Sequence, residues 1–401
     1  MEPASLALAA LVWLGGTEIA AGRAQLGPWQ MNESRWDYVD DATVALDERG
    51  GAAVAWVDQG RKDVFFQRFD ASGKKLAQPV NVSRSPKVFS WLPRVALDGG
   101  KICILWQEII FSGGSHGGDI LFARSEDGGR SFSEPENLSS SVAGDGKGRY
   151  NAELWHNGSL DLVVAGNTVY AAWTEYEGAL WLRRSRDGGK SFSEKIRLAE
   201  TKPARAPSLA AQKDTVFLAW TVGDDAAADI RVARSTDAGA TFAAPVIVQR
   251  SPGYSDAPKL TLDAHGVLHL VYGEDGRILY SRSADGGASF ERPRAISGGD
   301  AGFPALGLDA KGNLYVLWER FTDATGMPRG LGIAVSRDAG LSFQAGAVPE
   351  SAGSGRNGSL QGMLMNKLAV GRDGTVAIVN SSIRDGDRSR VWLMRGRLAT
   401  R

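Results

Sequence analysis

One short motif, returning five times, constrains this chain more than any other feature. It reads Ser, any residue, Asp, Gly or Ala, Gly, two variable residues and Phe, and it occupies 125–132, 185–192, 235–242, 283–290 and 336–343. A degenerate sixth copy is Phe69-Asp70-Ala71-Ser72-Gly73. Successive aspartates, Asp70, Asp127, Asp187, Asp237, Asp285 and Asp338, lie 57, 60, 50, 48 and 53 residues apart. Self-similarity at that period marks an array of one supersecondary unit, each copy burying its apolar face against the next. Each motif follows an alternating strand such as 120–124 and precedes another, so it reads as a hairpin. Short Asp and Ser side chains accept hydrogen bonds from the turn's own N–H groups. The Gly supplies a positive φ that a β-carbon opposes, and the Phe is expected to turn inward between sheets. These aspartates are therefore read as structural.

Upstream of each hairpin lies a second pair of apolar strands, at 43–57, 95–107, 160–174, 208–221, 259–273, 305–319 and 367–380. Seven inner pairs stand against six outer hairpins, and one further strand, 390–394, ends the pattern. The missing outermost strand is assigned to 27–31, which is similar to the strand after each motif. Joining the two chain ends in one sheet protects edges that would otherwise be open. The expected fold is all-β, a β-propeller of seven four-stranded blades in one domain over 25–401, with six blades as the alternative. The longest irregular stretches, 139–155 and 349–363, each lead from an outer strand to the next inner one.

Composition excludes several classes. The 46 basic and 46 acidic residues cancel, so no net field draws the chain to nucleic acid or to an anionic membrane. Fifty glycines and 12 tryptophans suit tight turns between short strands, with indoles filling the space between sheets. The lone Cys103 has no internal disulfide partner and sits in an apolar run. Residues 6–14 are apolar and are followed by Gly15-Gly16 and then by the largely small-residue stretch Ala20-Ala21-Gly22-Arg23-Ala24. That is the pattern of a removed leader over 1–24, which implies a secreted or periplasmic protein. No other segment reaches the ~20 apolar residues of a membrane span.

With its Asp-motif hairpins, the chain resembles the sialidase superfamily of Asp-box (BNR-repeat) propellers along nearly its whole length. The resemblance implies a site on the face opposite the Asp-box turns, at the mouth of the central channel. Enzymes of that family hold a substrate carboxylate with three arginines, attack with a Tyr activated by a Glu, and use an Asp as acid/base. Gly253-Tyr254-Ser255-Asp256, followed by Val271-Tyr272-Gly273-Glu274, is similar to the family's nucleophile segment and makes Tyr254 the implied nucleophile. Arg205-Ala206-Pro207 resembles its Arg-Ile-Pro motif. On the same resemblance Glu153 is the candidate partner carboxylate and Asp119 the candidate acid/base, and Arg94, Arg320 and Arg356 are the candidates for the other two arginines. A planar guanidinium suits carboxylate capture through paired, charge-assisted bonds.

The blade order differs from the family's: the Arg-Ala-Pro motif falls in the fourth blade and Tyr254 in the fifth, adjacent to each other. Trp91 and Phe303 occupy the related places in the second and sixth blades, and Asp119 has a twin in Asp229. Three readings follow: a hydrolase of terminal acidic sugars, a non-catalytic propeller binding a glycan or protein through exposed aromatics such as Trp36 and Trp91, or another enzyme centred on Asp37, Asp40 and Asp41. The four histidines are scattered and no phosphate-binding loop occurs, so neither a metal nor a cofactor is expected.

Overall fold

The computed structural model describes residues 11–28, 30, 32–85, 88–112, 115–139, 159–175, 178–198, 203–223, 227–322, 326–349 and 355–399. Among these, seven four-stranded antiparallel sheets stand as blades around an axis. Blade one is β2 (Val39–Leu46), β3 (Ala52–Asp58), β4 (Asp63–Phe69) and β5 (Val80–Asn81). Blade two is β6 (Ser90–Asp98), β7 (Lys101–Ser112), β8 (Ser115–Ser125) and β9 (Glu136–Asn137), and blade three is β10 (Leu160–Ala165), β11 (Thr168–Thr174), β12 (Leu180–Ser185) and β13 (Ile196–Leu198). Blade four is β14 (Ala204–Gln212), β15 (Thr215–Val222), β16 (Asp229–Ser235) and β17 (Val246–Ile247). Blade five is β18 (Ser255–Leu262), β19 (Leu268–Glu274), β20 (Arg277–Ser283) and β21 (Arg294–Ala295). Blade six is β22 (Ala301–Leu308), β23 (Leu314–Arg320), β24 (Leu331–Ser336) and β25 (Gln344–Ala347). Blade seven joins β26 (Leu368–Val370), β27 (Thr375–Arg384) and β28 (Arg388–Leu398) to β1 (Leu11–Gly22).

The ring closes through the two ends of the chain, but with a different strand from the one expected. It is β1 that pairs antiparallel with β28, from Leu11 opposite Leu398 to Gly22 opposite Ser389. In the segment 27–31, assigned this role from its likeness to other outer strands, the described residues Gly27, Pro28 and Gln30 lie outside the sheet, and Gln30 makes an isolated bridge to Asn32. Residues 11–22 therefore carry strand structure within the stretch read as a leader.

The repeated motif behaves as its chemistry dictates. Asp127 Oδ1 accepts the N–H groups of Arg130 and Ser131, and its Oδ2 accepts the Ser131 hydroxyl. Ser125 Oγ accepts the Gly129 N–H at 2.8 Å, a bond that Ser185, Ser235, Ser283 and Ser336 repeat at the same distance. The Ser131 hydroxyl bond, together with backbone N–H bonds, holds the exposed Asp127 carboxyl well below the usual range. Because the folded state lowers this pKa, the turn's support is complete above the ordinary carboxylate pKa and fades only as pH falls through the depressed value.

The second Gly of each motif is fixed twice over. Its φ is positive, +87° at Gly129 and +83° at Gly340, and a Cβ there would run into an aromatic ring of the preceding blade, Phe66 and Tyr280 respectively. The motif's Phe then packs edge-on against that same ring, with centroids 5.1 Å apart for Phe66–Phe132 and 4.9 Å for Tyr280–Phe343. Turn and blade junction are thus one device. Gly340→Ala is expected to cost about 2–4 kcal/mol, from overpacking and left-handed strain together. Chemical denaturation should show it, and a loss under about 0.5 kcal/mol would mean that the junction is slack.

Seven apolar clusters, each joining two neighbouring blades, make up most of the core among the described residues. Trp106, Trp173 and Trp220 occupy the same place in β7, β11 and β15 and are fully buried. Their indoles fill the wedge between sheets that splay outward from the axis.

Candidate functional site

The inner strands carry a recurring irregularity on the face opposite the Asp-motif turns. Register slips in β2, β6, β14, β18 and β22, between Asp40 and Thr43, Trp91 and Arg94, Arg205 and Ser208, Asp256 and Lys259, and Gly302 and Ala305. At each slip one residue is left-handed: Asp41 (φ 53°), Leu92 (59°), Ala206 (49°), Ala257 (52°) and Phe303 (50°). In four of the five a proline follows, an arrangement that sterics at X–Pro oppose. Such bulges redirect side chains at the rim of a sheet. The Arg-Ala-Pro sequence, read as a carboxylate-binding motif, is one member of this repeated bulge.

The mouth of the central channel, where the site was expected, is occupied by the chain itself. Asn366 Oδ1 accepts from Lys259 Nζ of blade five at 2.8 Å, and its Nδ2 reaches Asp161 of blade three at 3.4 Å. Its carbonyl accepts the Val44 N–H of blade one at 3.0 Å. A residue touching blades one, three and five together sits on the axis. Around it, Arg94 donates to the Leu364 carbonyl at 2.8 Å, and Asp40 accepts the Ser359 N–H at 2.6 Å. A short 3-10 helix, Leu360–Leu364, lies in this plug. Burial pulls the Lys259 ammonium down to about 8, with Asp161 opposing. Burial, reinforced by Asp40, pushes the Asp41 carboxyl well above its ordinary range.

Two of the seven candidate residues come together. The Arg205 guanidinium lies 4.5 Å from the centre of the Tyr254 ring, and Arg205 Nε donates to Asp256 Oδ1 at 2.9 Å. Arg205 is only 1% exposed, so it forms a floor beneath a half-buried Tyr254. The Tyr254 N–H approaches Asp275 Oδ1 at 3.4 Å. Glu274 accepts the hydroxyls of Ser251 and Ser255, each at 2.7 Å, and so pins the segment that carries Tyr254.

The other candidates lie apart. Arg94 serves the plug, Arg356 pairs with Asp385 at 3.0 Å in blade seven, and Arg320 is exposed at the end of β23. Asp119 accepts the Ser139 hydroxyl at 3.3 Å, as Asp63 accepts that of Ser83 in blade one at 2.7 Å, so the position belongs to the repeat. Glu153 lies outside the described residues.

The aromatics expected to be exposed are mostly interior. Trp91 is 2% exposed and stacks on the half-buried Trp36 at 6.0 Å, with Phe89 beneath both. Asp40 and Asp41 hold the plug, while Asp37 bridges to Arg23 at 3.7 Å; the three do not form a common centre. Among the described residues no group of three or more His, Cys, Asp or Glu could hold a metal ion, and no helix is long and apolar enough to cross a membrane.

A cleft of about 550 Å³ lies on this face between blades five and six. Tyr254, Phe303 and Phe321 line it, with Asp256, Glu274, Asp275, Asp300 and Arg277. The Phe303 and Phe321 rings are tilted, 6.1 Å apart. Sequence reasoning found Tyr254, Asp256 and Glu274 here but missed Phe303, Phe321, Asp275 and Asp300. The signal for Phe303 was its place before Pro304 in the repeated bulge.

Solved structures supply the comparison. The chain is similar to YCF48 bound to a D1 peptide, with a TM-score of 0.54 and 13% identity, over 94% of this chain and 98% of that one. An ulvan lyase bound to -[GlcA(1-4)Rha3S]- gives a TM-score of 0.54 at 13% identity, over 88% and 94%. The phage phi92 endosialidase gives 0.52 at 10% identity, over 81% and 72%. What they share with this chain is the propeller fold. No protein-family model matches the sequence, and no curated protein does so.

Proposed function

We propose that this protein is a glycan-recognising propeller, acting outside the cytoplasm, that binds through the cleft between blades five and six and does not hydrolyse what it holds. The observation that carries this reading is the Arg205–Tyr254 contact. A sialidase-type reaction needs the arginine facing a substrate carboxylate and the phenol facing an anomeric carbon. Here the arginine is spent on Asp256 and on the underside of the Tyr254 ring. That arrangement presents a rigid aromatic face, on which the C–H side of a sugar ring can stack, while neighbouring carboxylates accept sugar hydroxyls. The saccharide bound by the ulvan lyase, on the same fold, supports a glycan ligand; the YCF48 peptide complex makes a protein partner the reading to test against it.

Tyr254→Ala is expected to weaken glycan binding about three- to tenfold in calorimetry, the range for loss of one aromatic contact. Wild type is expected to leave fluorogenic sialosides uncleaved. Turnover by wild type that disappears in Tyr254→Phe would replace this reading with the hydrolase.

A further inference from the structure

We infer that the cleft between blades five and six selects saccharides carrying a free, protonated amine over neutral and acidic ones. The inference rests on the glycan-binding reading and narrows it. Three aromatic rings, Tyr254, Phe303 and Phe321, line the cavity, and four carboxylates stand around it against two guanidinium groups, Arg277 in the lining and Arg205 beneath Tyr254. Asp256 is ion-paired with Arg205, so those two charges largely cancel, while Glu274 is held by two serine hydroxyls as fixed negative charge. Asp275 and Asp300 are exposed at the edge, where an arriving ligand meets them first.

Aromatic faces and carboxylates attract the same kind of group. A ring's quadrupole is negative on its face and favours a cation above it. Carboxylates add direct charge pairing, and beside low-dielectric rings that pairing is stronger than at an open surface. A uronate or sialate brought here would meet like charge, which disfavours it. Arg205 offers an acidic sugar little relief, because it lies beneath Tyr254 with its Nε on Asp256. The backbone leaves room for an extended chain, since Gly273, Gly276, Gly299 and Gly302 form part of the wall.

The test is calorimetry on the full chain with three soluble oligosaccharides of matched length: glucosamine, its N-acetylated form, and galacturonate. Glucosamine is expected to bind about tenfold more tightly than the N-acetylated oligomer, from cation–π and carboxylate contacts combined. Asp275→Asn/Asp300→Asn is expected to bring the ratio of glucosamine to N-acetylglucosamine affinity down toward one, whatever the change in either alone; circular dichroism would confirm that the variant is folded. Equal binding of the two oligomers, or preference for galacturonate, overturns the amine selectivity and leaves glycan recognition standing. Oligolysine binding as tightly as oligoglucosamine also overturns it, by showing that charge alone suffices. Failure of every saccharide to bind would instead remove the glycan reading itself.

Discussion

Lys367→Met is expected to destabilise the protein by about 3–5 kcal/mol, the usual consequence of stranding one member of a buried ion pair. Lys367 Nζ bonds to Glu319 Oε1, to the Asn357 carbonyl at 3.2 Å and to Asn380 Oδ1 at 3.1 Å. The side chains of Lys367 and Glu319 are 5% and 2% exposed. Without the ammonium, the Glu319 carboxylate keeps only the Asn357 amide among these partners, at a side chain that is 2% exposed. The double variant Glu319→Gln/Lys367→Met is expected to recover part of the loss, because no uncompensated charge remains. Urea denaturation of the wild type, the two single variants and the double variant supplies the cycle. A single-variant cost below about 1 kcal/mol would show that the pair is hydrated.

The effect reaches beyond stability, because this pair anchors the segment that closes the channel. Asn357 is bonded to Glu319, Gly330 and Asn380 at the base of that segment, and Ser359 follows it onto Asp40. Because the axis is filled, a ligand on this face must bind off the axis, as in the cleft between blades five and six.

The blades were legible in the sequence because their signals are local. A motif such as 125–132 contains its own acceptors, its own left-handed glycine and its own packing Phe, so eight residues specify the turn wherever it occurs. Inner strands announced themselves by alternating apolar residues between turns. The plug was not legible, since Asn366 is placed by Lys259, Asp161 and Val44, all more than 100 residues away, and nothing adjacent to it encodes that meeting. The candidate site fell between these cases. Tyr254 was found from its neighbours, but whether Arg205 faces a ligand or lies under a ring depends on the bulge at Ala206 and on Asp256 in the next blade. The closing strand was misplaced for a related reason: an apolar run with small residues reads as a leader, whereas only the uncovered edge of β28 reveals it as a strand.

Removing residues 1–24 is expected to have the largest effect of any change considered. Six of the outer strands are two to four residues long and arrive through a hairpin from their own blade. The seventh, β1, spans 12 residues and comes from the opposite end of the chain. Its loss would uncover β28 along most of its length, withdraw Ile19 from the junction of blades seven and one, and break the bond from the Trp13 indole to the Ala347 carbonyl at 3.0 Å. Burial of Ile19, with the half-buried Leu11 and Trp13 counted at half the usual value per apolar side chain, contributes roughly 3–6 kcal/mol. An open edge of that length also invites pairing between molecules. A chain beginning at Gln25 should therefore melt far below the full chain and elute as aggregate or oligomer in size-exclusion chromatography. The same residues cannot serve both as a discarded leader and as the seventh blade's outer strand. Should the shortened chain prove monomeric and melt with the full one, β1 is dispensable and the segment is free to act as a leader; should it collapse, an exported protein must keep residues 11–22, and mass spectrometry of its N-terminus will find them.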